Sequence, residues 1–314
     1  MKPFIFVFVF LLTAFPGAYA QLNNSSNEFN LQYQFTEGDQ FQVKQHSQED
    51  SYLDLNGVEQ RTTNQLDAIM LLTVTHVNAA QATLEATYKQ INLLSSSQNQ
   101  SITVNTSSGG KDVYNRLFKA MTGKKFTIIM RHNGIISDIN GLNSIFDDMI
   151  AAVPEVKASE RETLKKFLQS QFGAQALKGN LALVLPYYPD MAVQMNGTWT
   201  NQLYTNGFYN AHTDNYWKLT FGDKYAINLT NQAKFTTDPT QTVDLGGGQK
   251  GHVDLKGTVQ GQYMIDPSSG WPSMCIIHAE LKGDYIYINP NNSKRNVKVP
   301  VRVVKDASYQ FKHL

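Results

Sequence analysis

Residues 123–150, GKKFTIIMRHNGIISDINGLNSIFDDMI, hold a basic pair, a histidine, an Asn-Gly step and three aspartates in one short run. Taken as chemistry, the stretch invites a search for an active site. Its periodicity says something else. Residues 126–131 alternate as a strand does, Asn133-Gly134 is a hairpin signal because both residues tolerate positive φ, and a second short strand runs to Gly141. A two-residue turn pairs His132 with Ile135, Met130 with Ser137 and Ile128 with Ile139. Phe126, Ile128, Met130, Ile135 and Ile139 then share one face, which is expected to meet helices. Arg131 and Asp138 fall on the opposite face as an exposed ion pair worth under about 1 kcal/mol. His132, beside the turn, is expected to be exposed. Phe126, Asn133, Gly134 and Gly141 are therefore architectural residues.

The period changes after Gly141. Ile145, Phe146, Met149, Ile150 and Val153 line one side of a helix that Pro154 ends. Asp147-Asp148 are placed in its first turns, where carboxylates meet the macrodipole favourably. Ser159 and Glu162 form a capping box for a second helix, with Leu164, Phe167, Leu168 and Phe172 on one face and Gly173 as its stop. A third helical stretch, 174–185, is interrupted at Gly179-Asn180 and closed by Pro186. Upstream, Asp112 caps a short helix near 112–122 through Val113, Leu117 and Met121, ended by Gly123.

The flanks are strands. "LQYQF" (31–35) alternates, and the period of two continues through Phe41 and Val43 to a hairpin at Asn56-Gly57. Residues 65–78 and 82–96 are long strands around a turn at 78–80. Residues 95–110 are a polar loop or a hairpin tip. From Tyr187 onward alternation returns, around a second Asn-Gly at 206–207, and runs to the end of the chain. The two β-rich parts open alike, with Phe41 after Gly38-Asp39 and Trp199 after Asn196-Gly197. Each carries an aromatic-led hairpin turning on glycine, at 126–134 and 263–270. Either a degenerate duplication or the ordinary recurrence of antiparallel hairpins accounts for this.

The bulk numbers narrow the class. Lys2, the apolar run 4–12, the Pro16-Gly17 break and Ala18-Tyr19-Ala20 are the parts of a signal peptide over residues 1–20, with Gln21 as the mature first residue. The apolar run is shorter than the roughly 20 residues a spanning helix needs, so no transmembrane segment is expected. With glutamine rather than cysteine directly after the cleavage site, an exported periplasmic or extracellular protein without a lipid anchor is expected. Basic and acidic residues number 27 and 26, a balance that argues against electrostatic capture of nucleic acid. The single cysteine, Cys275, excludes an intramolecular disulfide. It alternates with Ile277, Ala279 and Leu281, which places it on a buried face as an inert thiol.

"FTEGDQFQVK", "GKKFTIIMRHNGIISDINGL", "FGAQAL" and "NGTWT", in that order, resemble an uncharacterised family of secreted and periplasmic proteins common in Bacteroidetes. That family runs from a Gly-Asp-x-aromatic strand to a Gly-x-x-aromatic hairpin ending in Gly-Leu, then a helical insert and a Gly-Asp-x-Trp strand. The likeness covers most of residues 21–314. It departs at Asn196-Gly197, where an acidic residue is usual, and at Gly179-Asn180. It implies an exported β-rich protein and brings no catalytic residues.

Searches for chemistry return little. His46, His76, His132, His212, His252, His278 and His313 have no H-x-H or H-E-x-x-H spacing. "GGGQKGH" (246–252) lacks the Lys-Ser/Thr of a phosphate loop and sits between strands, and no G-x-S-x-G elbow exists. No catalytic, metal or cofactor residue is assigned and no cofactor is expected. The 15 tyrosines and 17 phenylalanines are the functional hint. Aromatics on a curved sheet under a helical lid can line an apolar pocket, as in half-barrel lipoprotein carriers, by architectural analogy alone. They can equally fill the core of a large sheet. Tyr187, Tyr188, Phe146, Phe167 and Phe172 are the candidate pocket or core aromatics.

The expected fold is α+β and mostly β: a large antiparallel sheet, half-barrel or sandwich-like, with a helical segment packed on it. Its parts are a signal peptide (1–20), a first β-rich half (21–141), a helical insert (142–185) and a second β-rich half (186–314). Three functional classes follow. The first is a non-catalytic envelope protein binding an apolar small molecule, a lipid or an envelope component between sheet and helices. The second is a structural or protein-interaction module of the envelope, and the third an enzyme acting on envelope or glycan material. The deciding observation is whether the space between sheet and helices is hollow or filled.

Overall fold

Long runs of period-two burial dictate the architecture. The computed structural model describes residues 28–98, 100–206, 209–245, 249–289 and 296–314. The segment read as a signal peptide (1–20), most of the polar leader, Gly207 and residues 246–248 lie outside them. The strands are β1 (Glu28–Phe29), β2 (Gln40–Leu55), β3 (Val58–Val77), β4 (Gln81–Ser97), β5 (Gln100–Asn105), β6 (Lys125–Arg131) and β7 (Ile136–Asn140). After the helices come β8 (Val193–Gln194), β9 (Thr198–Asn206), β10 (Asn210–Gly222), β11 (Ile227–Thr237), β12 (Val243–Asp244), β13 (Lys250–Ile265), β14 (Pro272–Tyr287) and β15 (Val297–His313). The helices are α1 (Val113–Met121), α2 (Leu142–Ala151), α3 (Ala158–Phe172) and α4 (Ala174–Val184).

Thirteen strands form one antiparallel sheet, in the order β7-β6-β4-β3-β2-β15-β14-β13-β11-β10-β9, with β5 on β4 and β12 on β13. The two β-rich halves therefore share a single sheet, joined where β15 pairs with β2 along thirteen residue pairs. Phe41 and Val43 of β2, Leu72 and Met70 of β3, Cys275 and Ile277 of β14, and Tyr309 and Phe311 of β15 share the inner, buried face. Cys275 is fully buried, which pushes its thiol pKa up and keeps it protonated.

The sheet is not closed into a barrel, and α4 spans the opening. This helix contacts both edge strands, β7 and β9. Lys178 donates to the Ser137 carbonyl at 3.3 Å, and a Cβ at Gly179 would stand 3.0 Å from Thr205 Cγ2. Tyr263 donates to the Leu183 carbonyl at 2.7 Å, fixing the end of the helix to β13. For two edges to reach one helix the sheet must curve, and a covered edge is protected from pairing with other chains. The expected interruption at Gly179-Asn180 is absent, because α4 runs unbroken. Its glycine serves close packing against β9 instead.

Of the five residues that the 3.6-residue period selects, α2 carries and buries Ile145, Phe146, Met149 and Ile150, and Val153 is buried just past the helix end at Ala151. Asp147 and Asp148 lie in mid-helix rather than in the first turns. They are tied to Lys165 of α3 and to Lys124, which joins α2 to its neighbours. Helix α3 begins one residue before Ser159, with Lys157 at its N-cap and no side-chain cap bond, so the capping box is not formed. Phe167 of this helix is 54% exposed, and Leu168 carries its burial. Helix α1 is capped as expected, by Asp112 accepting from the Asn115 amide at 3.0 Å.

Two further expectations change. Residues 31–35 keep their alternation, with Leu31 and Tyr33 buried, but form no ladder strand. Tyr33 donates its amide to the His132 carbonyl and Gln34 donates to that of Ser269, both at 2.8 Å, so the segment runs between two hairpin tips. The β6–β7 turn has three residues rather than two. Gly134 donates to the Arg131 carbonyl, Arg131 donates to that of Ile135, and Gly134 alone adopts positive φ, at +91°. Met130 consequently faces Ile136, and a bulge at Ser137 restores the expected Ile128–Ile139 pair. Ile136 is buried in the place assigned to Ile135, which is 39% exposed. Asp138 accepts from the Ile139 amide and the Asn140 side chain, and no ion pair joins it to Arg131 among the described residues.

Candidate functional site

Among the described residues the space between sheet and helices is largely filled by buried side chains and holds a hollow. A cavity of ≈ 170 Å³ lies between α3 and α4 on one side and β2, β3, β4 and β15 on the other. It arises from a dip in side-chain size. Along β2 and β3 the inner-face row Val43–Met70 is followed by Gln45–Ala68 and then Ser47–Leu66. Ala68 and Ser47 withhold volume where the flanking positions supply it. Phe172, Leu177, Leu181 and Val184 form the helical wall, and Val43, Leu66, Met70 and Tyr88 the apolar floor.

The polar residues of the lining are Gln45, Ser47, Gln171, Asn180 and Lys305, from sheet and helices alike. Gln45 donates to Ser47 Oγ at 3.3 Å. The phenols of Tyr88 and Tyr309 also line the cavity, and neither has a hydrogen-bond partner in the protein among the described residues. Burial pushes the Tyr88 pKa up to about 12 and raises that of Tyr309, with Cys275 and Tyr88 as further causes for the latter. Both therefore remain neutral donors at physiological pH.

Of the five aromatics picked out in the sequence, Phe172 alone lines this cavity. Phe146 is fully buried under α2, and Phe167 faces solvent. Tyr187 is half-buried and its carbonyl accepts from Trp199 Nε1 at 2.7 Å. Tyr188 is fully buried and belongs to an aromatic plug at the turn end of the molecule. There Tyr33 lies 4.9 Å from Tyr188 and 5.3 Å from Trp271, ring centre to ring centre, and Phe41 stacks on Trp271 at 4.3 Å. Much of the aromatic content seals that end rather than lining a pocket. Ala68, Ser47, Leu181, Tyr309 and Lys305 went unnoticed in the sequence. The small residues within otherwise bulky inner-face runs were the available signal.

The hairpin residues are placed as architecture. Phe126 is buried and stacks on Tyr88 at 5.9 Å. The Asn133 carbonyl accepts from the Tyr188 amide at 2.9 Å, and Gly141 has φ +96° at the N-cap of α2. His132 is not free beside its turn. Its ring nitrogens lie 2.9 Å from the Tyr33 carbonyl and 3.3 Å from that of Asn78, and the ring packs on Phe35. It lines a second, solvent-open cleft of ≈ 240 Å³ with Asn30, Arg131 and Asp190. No group of three or more His, Cys, Asp or Glu side chains suited to a metal occurs among the described residues. Among those residues, too, no helix is long and apolar enough to cross a membrane.

The model of a family of unknown function (DUF6263) matches residues 79–272. No curated protein matches the chain. Among solved structures, one of lipid–protein interactions in lipovitellin is similar at 14% identity and a TM-score of 0.48. It covers 90% of this chain, which spans 25% of the lipovitellin chain's length. An outer membrane channel from Pseudomonas putida F1 follows at 7% identity and a TM-score of 0.28, over 89% of this chain and 97% of that one. OccK7 of Pseudomonas aeruginosa has 6% identity and a TM-score of 0.20, over 89% of this chain and all of that one.

Proposed function

The chain belongs to this family of unknown function, DUF6263, and we propose that it is an exported, non-catalytic envelope protein that binds an apolar ligand between its sheet and helices. The carrying observation is the ≈ 170 Å³ cavity under α3 and α4, lined by Val43, Met70, Phe172, Leu181 and Val184. Well-packed interiors leave few voids larger than a water. A cavity of about 150 Å³ is known to accept benzene, so this one takes a small apolar body or one segment of a longer chain. The export and the periplasmic or extracellular address rest on residues 1–20.

Calorimetric titration with 1-octanol tests the reading. Wild-type protein is expected to bind it, and Ala68→Leu, which fills the floor, is expected to abolish binding while keeping the fold. Absence of binding to the wild type, with native mass spectrometry of protein from its own envelope showing only the bare chain, sinks the proposal.

One observation favours an interaction module as the second reading. Met274 and Met264 pair across β14 and β13 on the outer face, and Ile276 lies two residues from Met274. Phe221 pairs with Asn228, which itself pairs with Met264, so the row across four strands is apolar except at Asn228 of β11. All four apolar side chains are exposed. A photo-crosslinker at position 264 capturing one defined envelope protein, lost in Met274→Lys, supports this reading; capture unaffected by that change removes it.

A further inference from the structure

Lys305 stands out on the inner face of β15. That face runs Val299, Val301, Val303, Lys305, Ala307, Tyr309 and Phe311, and every member but Lys305 is a buried apolar residue. A lysine interrupting such a row is costly to bury unless something faces its charge. The lysines that form ion pairs are Lys124, Lys125, Lys165, Lys166 and Lys298. Lys305 forms none among the described residues, although Glu49 lies directly across the ladder from it. Glu49 sits near Tyr209 and Tyr285, whose phenol pKa values are raised first by burial and then by this carboxylate. These two tyrosines pack with the second apolar cluster of Val253, Leu281 and Val303, away from the helices. The half-buried Lys305 also lines the cavity, whose lining includes Gln45, Asn180 and Tyr309.

We propose that the ligand is an amphipathic anion, with its apolar body between Met70 and Leu181 and its carboxylate or phosphate on the Lys305 ammonium of the cavity lining. This inference rests on the ligand-binding reading above and adds the charge. An ammonium offers three donors to an anion's oxygens, and Tyr309 and Asn180 add neutral donors to the same lining. Charge-assisted hydrogen bonds of this kind are about twice as strong as neutral ones, which gives the site a preference for anion over alcohol.

Octanoate and 1-octanol share a chain length and differ in head-group charge, so titrating both by calorimetry separates head from tail. Wild-type protein is expected to bind octanoate about tenfold more tightly than 1-octanol. Lys305→Gln is expected to remove that preference by weakening octanoate about tenfold relative to 1-octanol. Equal affinity for the two ligands in the wild type, or a preference retained in Lys305→Gln, overturns the anionic assignment and leaves the apolar-ligand reading intact. Failure of both to bind overturns the two together, as does binding unaffected by filling the cavity. Ser47→Leu serves as the filled variant if Ala68→Leu does not fold.

Discussion

The phenol of Tyr188 donates a 2.7 Å hydrogen bond to the carbonyl of Gly270, 82 residues further along the chain. Its amide donates to the carbonyl of Asn133. One residue thus fastens the tips of two hairpins, 126–140 and 263–272, from opposite halves of the molecule. The buried Tyr33 phenol adds a 3.2 Å bond to the Pro186 carbonyl two residues away.

Tyr188→Phe keeps the ring and removes the donor, leaving a buried carbonyl short of a partner. It is expected to cost about 1–2 kcal/mol of stability in urea denaturation. Tyr33→Phe should not add to it independently, because the two rings are in contact.

Gly134→Val should damage folding before any binding. The position has φ +91°, and a Cβ there would stand within 2.3 Å of the Pro186 carbonyl oxygen. A loss of more than about 2 kcal/mol and a fall in soluble yield are expected. Full yield with unchanged melting would contradict the turn geometry.

Neighbouring positions on α3 should respond in opposite ways. Leu168 is fully buried, and Leu168→Ala is expected to cost about 2–5 kcal/mol. Phe167→Ser, at a side chain facing solvent, should stay within about 0.5 kcal/mol of wild type. Thermal melts of the two variants suffice to compare them.

The hydrogen bond to Asp306 at 2.8 Å raises the pKa of His278 above its ordinary value of 6.5. A raised histidine stabilises the fold fully below its unfolded pKa and loses that contribution as pH climbs through the folded value. His278→Gln should therefore lower the urea midpoint below about pH 6, with the difference shrinking as pH rises through the raised folded-state value. A difference that grows with pH would contradict the pairing.

Much of the fold is legible because burial leaves a period. Alternation marks β2, β3, β13 and β15, and the i, i+3, i+4 spacing of Ile145, Phe146, Met149 and Ile150 gives α2 its buried face. Cys275 is placed on the inner face by the same rule. The candidate site was less legible. A cavity is a deficit of volume among residues distant in sequence, so Ala68, Ser47 and Leu181 carry no local mark of it. Lys305 does carry one, as a charge in an otherwise apolar alternation.

The sequence alone determined that the chain builds an antiparallel sheet with helices between its halves, since polar and apolar side chains sort by period before any contact forms. Tertiary structure decided the turns and the closure. Asn56-Gly57 and Asn133-Gly134 are the same dipeptide. The first takes positive φ at both residues and makes the two-residue turn expected of it. The second makes a three-residue turn, held by Tyr188 on the Asn133 carbonyl and packed against Pro186. Local propensity offers both turns, and contacts made by Tyr188 and Pro186, distant in sequence, select one. Likewise Gly179, a helix breaker by propensity, stays helical because α4 must pass close to Thr205 to cover both open edges of the sheet.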